Sequence, residues 1–258
     1  MCLIAFAHRA VSGAALVVAA NRDELFERPT AAARFWEDHP SVLAGRDLRA
    51  GGTWMGVTRS GRFAAITNFR NPRDRRNDAP SRGALVGDFL TGTESPQRYL
   101  ERLRPRAKDY NGFSVLVATP EAMWFYSNSN DALLPVEPGV HALSNHVLDE
   151  PWPKVRKARE GVRALLGTPL QPEQLFDMLA DETTAPDEEL PDTGIGLGRE
   201  RKASAMRIRD PFYGTRCSTV LIVRGTSVIF QERSFTADGG TAGTVRYEFA
   251  IEPAGAPS

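Results

Sequence analysis

The chain has 258 residues, 41% of them hydrophobic, and its 32 Lys and Arg balance 32 Asp and Glu. That is enough apolar material for a sizeable core, and the zero net charge excludes a general binder of nucleic acid or of anionic membranes. Cys2 and Cys217 cannot build a disulfide scaffold, and with the four His they show no metal-ligand spacing, so no metal site and no resident cofactor are expected.

The first element starts at Cys2. A small residue at this position allows removal of Met1, which would leave Cys2 with a free α-amine and a thiol on one residue. The reference pKa values, about 7.7–8.0 for the amine and about 8.5 for the thiol, let the amine take the thiol proton near neutral pH. Read without its context, Cys2 is more often a small buried apolar residue on a first strand. Residues 2–7 and 14–20 are apolar runs joined by a turn over 9–13, which predicts a β-hairpin. Its second strand runs into Asn21-Arg22-Asp23-Glu24, so charge is placed beside the residue where the chain began.

Arg28-Pro29 ends that strand, and Phe35-Trp36 and Val42-Leu43-Ala44 read as short apolar pieces in irregular chain. Gly51-Gly52-Thr53-Trp54 is a tight turn feeding a strand, and Thr53 and Trp54 are also candidates for a substrate-pocket wall. A return strand over 62–67 delivers Asn68 at its end. Residues 71–82 read as a surface loop, and the arginines of 70–76 as solvated rather than as a phosphate clamp. Helical spacing follows at Leu85, Val86, Phe89 and Leu90, and a second helix is expected from Pro96 to Leu103. A second hairpin is expected over 113–126, and a strand over 140–143 leads to Ser144-Asn145-His146. Pro153 opens a helix that Gly167 ends, and 173–180 forms a short one. Residues 181–201 read as a loop; strands over 217–223, 227–233 and 245–251 and a tail over 254–258 close the chain. No linker interrupts this order, so a single domain over 1–258 is expected, with helices flanking sheets.

The polar groups collected at the strand ends are Cys2, Arg22, Asp23, Asn68, Asn145 and Arg216. The blocks Met1-Cys2, Asn21-Arg22-Asp23-Glu24, Leu43-Ala44-Gly45-Arg46-Asp47, Gly51-Gly52-Thr53-Trp54-Met55-Gly56 and Thr67-Asn68-Phe69-Arg70 resemble the NRDE, or transport and Golgi organisation protein 2, family. The resemblance is dense over 1–83 and continues more thinly through Ser144-Asn145-His146 and Thr215-Arg216-Cys217. That family is similar in layout to the penicillin V acylase and bile-salt hydrolase branch of the N-terminal nucleophile hydrolases. The resemblance implies an α+β fold, a four-layer αββα sandwich, with Cys2, Arg22, Asp23, Asn68, Asn145 and Arg216 as its catalytic set. In this set Arg22 would favour the thiolate, Asp23 would orient the α-amine, and an amide N–H of Asn68 or Asn145 would meet an oxyanion. Arg216 would hold the Asn–carboxylate network. In the acylases the Arg and Asp are spaced apart, whereas Arg22 and Asp23 are adjacent and should point to opposite faces. A bulge, or Glu24 in place of Asp23, would bring a carboxylate to the thiol.

Two functions fit these residues. One is an N-terminal-cysteine amidohydrolase acting on a small-molecule amide, or on a thioester. The other is a non-enzymatic carrier of haem, acyl-CoA or lipid on the same fold, since eukaryotic relatives are linked to Golgi organisation, haem trafficking and lipid homeostasis. No apolar run reaches the ~18–20 residues of a membrane span, and His8-Arg9 interrupts any signal-like start, so a cytoplasmic location is expected.

Overall fold

Among the residues described by a computed structural model, 2–11, 13–167 and 169–252, thirteen strands form two antiparallel sheets. Met1, Ser12 of the first expected turn and the expected tail lie outside the described residues. The first sheet contains β1 (Cys2–Val11), β2 (Ala14–Leu25), β10 (Gly139–Leu143), β11 (Tyr213–Arg224), β12 (Ser227–Phe235) and β13 (Thr241–Ala250), ordered β10-β1-β2-β11-β12-β13. The second is a meander of β3 (Thr30–Phe35), β4 (Val42–Asp47), β5 (Met55–Thr58), β6 (Phe63–Asn68), β7 (Phe113–Ala118), β8 (Met123–Ser127) and β9 (Ala132–Pro135).

Strand alternation sorts the side chains into layers. Ile4 and Phe6 point between the sheets and meet Phe63, Phe125 and Phe230. Burying aromatics of this size contributes about 1.5–3 kcal/mol each. Leu3, Ala5 and Ala7 point the other way, onto α3 (Pro153–Leu166) and α4 (Pro172–Leu179), against Val155, Ala158, Val162 and Phe176. On the far side, α1 (Gly83–Thr91) and α2 (Pro96–Leu103) press Val86, Phe89 and Leu100 onto Ala64, Val115 and Val117 of the second sheet. The result is the expected α+β four-layer αββα sandwich. Among the described residues no helix is long and apolar enough to cross a membrane.

Several local expectations need correction. The apolar pieces near 35 and 42 belong to β3 and β4, whose pairing breaks register between Ala31 and Arg34. That irregularity and the mostly uncovered face of β3 hide the strand period. β9, four residues long and half exposed, carries no alternation to read. The expected loop over 181–201 contains a 3-10 turn at Asp187–Glu189 and the start of a short helix, α5 (Leu197–Ala203). The helix buries only Glu200 and Ala203, and the bonds of Glu200 to Arg70 and Thr193 hold it rather than an apolar face. The turn at 51–53 is fixed by close approach: a Cβ on Gly52 would meet the Gly83 carbonyl carbon at 2.4 Å.

Candidate active site

Antiparallel pairing sets Cys2 opposite Arg22, and Arg22 opposite Cys217, on the three central strands of the first sheet. Residues directly opposite in register share a face. Arg22 lies between the sheets, where its guanidinium stacks 4.3 Å from the Trp54 ring and donates to Thr30 Oγ1 at 3.2 Å. Asp23 is buried on the opposite, helix-covered side and accepts from Thr215 Oγ1 at 2.7 Å. The two adjacent side chains therefore diverge, as strand geometry requires. The bulge lies on the partner strand: Arg216 falls between Thr215, paired with Asp23, and Cys217, paired with Arg22.

The divergence is compatible with both residues acting on Cys2, because a strand's first residue presents its side chain to one face and its nitrogen along the strand. The Asp23 charge and the Asp23 backbone N–H both act on the Cys2 thiol. Glu24 is half-buried, and its carboxylate accepts from the N–H of Leu25 at 2.9 Å. Of the two carboxylates, Asp23 is the one that engages Cys2.

Asn145 and Asn68 divide their tasks. Asn145 adopts φ 57°, a left-handed conformation that Asn tolerates, and its Oδ1 accepts the Cys2 N–H at 3.2 Å. Its amide N–H₂ donates to the Asn68 carbonyl at 3.0 Å, so it is committed to holding the strand ends. Asn68 is exposed and lines a cavity over Cys2. Of the two Asn, only Asn68 lines that cavity.

That cavity, of about 340 Å³, is also lined by Thr53 and Trp54 and by five arginines, Arg22, Arg28, Arg75, Arg76 and Arg82. Asp47, which lines it too, is taken by Arg28 at 2.5 Å. Arg75 and Arg76 belong to the segment read as a solvated loop; here they form part of the wall. Arg216 does not line this cavity. Its Nη1 donates to the carbonyls of Leu25, Phe26 and Arg28 at 2.9–3.0 Å, clamping the chain where it leaves β2. Its expected hold on an Asn–carboxylate network is replaced by this hold on backbone. His146 packs between Phe69 and Trp152 with Nδ1 3.0 Å from Glu150 and stays outside the cavity.

Behind Asp23 lies a charged group that the sequence reading missed. Lys154, in the first turn of α3, is 2% exposed, and among the described residues its Nζ has no hydrogen-bond partner. Arg70 donates to Glu200 at 2.6 Å, both side chains being buried. Burial pushes Lys154 down to about 8, with Arg70 adding to the fall and Asp23 and Cys2 opposing it. Burial raises Asp23, with Lys154, the chain's amino terminus, Thr215 and Arg70 opposing. One signal was present in the sequence: a Lys in the first turn of a helix sits at the positive end of the helix dipole, where cations are disfavoured.

Burial also pushes the Cys2 thiol up, and Asp23 acts in the same sense against the amino terminus, the Asp23 N–H and Arg22. The expected lowering by Arg22 is therefore outweighed. Cys217 is raised well above its ordinary value, by burial and then by Glu232. Iodoacetamide is accordingly expected to label Cys2 before Cys217 at every pH between 7 and 9, as peptide mass mapping would read. Equal rates would mean that the cavity does not reach Cys2.

A family model described as Transport and Golgi organisation 2 matches residues 1–237. The chain is 36% identical to the "Transport and Golgi organization protein 2 homolog" of Bos taurus, over 98% of this chain and all of that one. It is 34% identical to the Mus musculus homologue, again over 98% and 100%, and 27% identical to the Drosophila melanogaster protein over 86% and 88%. Among solved structures, a Caenorhabditis elegans ortholog of N-acylethanolamine-hydrolyzing acid amidase superposes with TM-score 0.52 at 10% identity, covering 85% of this chain and 92% of that one. A C2A mutant of the conjugated bile acid hydrolase from Clostridium perfringens gives TM-score 0.51 at 9% identity, covering 98% of each. Identities this low speak for the fold alone, which is that of the N-terminal nucleophile hydrolases.

Proposed function

The chain belongs to the transport and Golgi organisation 2 family, and on that premise we propose that it is an N-terminal-cysteine hydrolase, cleaving a linear amide or a thioester with Cys2 as nucleophile once Met1 is removed. The observation that carries this reading is the convergence on Cys2 of Asn145 at its nitrogen, the Asp23 N–H and charge at its thiol, Arg22 opposite it in register, and Asn68 in the cavity above it. The neutral α-amine takes the thiol proton, and the thiolate adds to the substrate carbonyl carbon. The Asn68 amide donates to the oxyanion. The ammonium returns its proton to the leaving amine or thiol as the carbon–heteroatom bond breaks, leaving an acyl-enzyme. A water, deprotonated by the same amine, then releases the acid and restores the thiol. The bile acid hydrolase named above has its mutated Cys at the same place in the chain, which agrees with this role.

A second reading draws on the five arginines of the cavity, which would hold the carboxylates of haem or the phosphates of acyl-CoA in a non-enzymatic carrier. One experiment separates the two. N-acylated amino acids and acyl-thioesters are screened for turnover, and haem and acyl-CoA are titrated, on wild type and on Cys2→Ala. The hydrolase reading expects turnover that is lost in Cys2→Ala. Absence of turnover, with binding that survives Cys2→Ala unchanged, would replace it with the carrier.

A further inference from the structure

We propose that the acyl half of the substrate is an apolar chain, laid across the first sheet from Cys2 into a second cavity between the sheets. The inference rests on the hydrolase reading and names the class of acyl group that Cys2 would take up. Cys2 pairs with Arg22, Arg22 with Cys217, Cys217 with Ser234 and Ser234 with Gly243, so these five residues form one row across β1, β2, β11, β12 and β13. Residues two along from the row, Ile4, Ala20 and Val245, pack into the core between the sheets, so the row faces that space.

The row has a cavity at each end. Cys2 and Arg22 border the one described above. Cys217, Ser234 and Gly243 border a second, of about 400 Å³, walled also by Ala32, Phe235 and Val245. Trp54 borders both and stacks on Arg22. Gly45 on β4 seats its ring, since a Cβ there would meet Trp54 Cη2 at 2.2 Å. The two cavities differ in charge. In the first, Arg76 and Arg82 are held by backbone carbonyls rather than by carboxylates, which suits a polar or anionic group. In the second, the charged groups are already engaged. Glu232 accepts from the Ala33 N–H at 2.8 Å and the Thr219 hydroxyl at 3.2 Å, and Arg216 Nη1 is committed to its three carbonyls. Of the buried side-chain polar atoms on this lining, only Arg216 Nε lacks a hydrogen-bond partner among the described residues. Hydrocarbon is the occupant such a wall favours.

The order of steps decides which half goes where. The leaving amine or thiol vacates the place that the hydrolytic water then takes, and the polar first cavity serves both. The acyl chain stays through both steps and takes the second. From Cys2 to Cys217 the row covers two strand spacings, about 10 Å, so an acetyl group stops short and a long chain reaches the cavity.

The test compares acetyl, octanoyl and lauroyl derivatives of one amino acid and of one thiol by kcat/KM, on wild type and on Gly243→Leu. A Cβ at Gly243 meets nothing within 4 Å, so the substitution enters open space at the far end of the row. Wild type should favour lauroyl over acetyl by about tenfold or more, and Gly243→Leu should lower that ratio by about tenfold. Acetyl turnover and melting temperature should stay at wild-type values, which shows that fold and nucleophile are intact. A wild type indifferent to chain length, or a ratio that Gly243→Leu leaves unchanged, overturns the inference and leaves the hydrolase reading standing. No turnover of any of these substrates defeats that reading, and the inference with it.

Discussion

Cys2→Ala is expected to lower turnover by roughly four orders of magnitude or more, while Cys2→Ser keeps a small residue of activity. Alanine removes the thiol proposed to form the acyl-enzyme, so that covalent route closes and solution-like attack by water remains. Serine preserves the route but offers a hydroxyl that an α-amine deprotonates poorly. Both proteins should stay folded. Cys2 is partly exposed at the first position of β1, and its backbone bond to Asn145 does not depend on the side chain. The check is steady-state turnover alongside thermal unfolding of the same samples. Turnover that survives Cys2→Ala at wild-type level would remove Cys2 from the mechanism.

Glu200→Ala is expected to be the most damaging single change outside the apolar core, costing about 3–5 kcal/mol of folding free energy. It leaves Arg70 buried without its carboxylate, near a buried Lys154 whose Nζ has no hydrogen-bond partner among the described residues. Lys154→Met should act in the opposite direction. The buried ammonium titrates at about 8 in the folded chain, against about 10.4 for an unfolded lysine. The unfolded state therefore binds more protons between those values, and stability rises with pH across that window. Below about pH 8 the full penalty, about 3 kcal/mol, weighs on the wild type. Lys154→Met should thus gain most at pH 7 and lose its advantage as the pH approaches 10.4. Denaturant unfolding at pH 7 and pH 10 reads both effects, and a Glu200→Ala protein as stable as wild type would contradict the first.

The central hairpin and its polar exit were legible because β1 and β2 are long apolar runs whose pairing returns Arg22 to Cys2 by arithmetic alone. The helices over 83–103 and 153–166 were legible for the same reason: three- and four-residue spacing writes a buried face directly. The second sheet's edge was not, since β3 buries little and breaks register. The division of labour at the site was hidden more deeply. Adjacency sends Arg22 and Asp23 to opposite faces, and nothing in the sequence shows that both can act on Cys2 from there. Lys154, Arg70 and Glu200 come from three distant segments, and only tertiary packing brings them behind Asp23. Arg75 and Arg76 read as solvated because an arginine on a loop carries no record of the cavity it will border.

The role of Cys2 is tested most directly by quenching the protein in acid during turnover and measuring the mass of its N-terminal peptide. A peptide that begins at Cys2 and carries the substrate's acyl group is the predicted result, since the amide or thioester bond is broken by transfer of that group to the thiol. An unmodified peptide that begins at Met1, in protein that is nonetheless turning over, would contradict it.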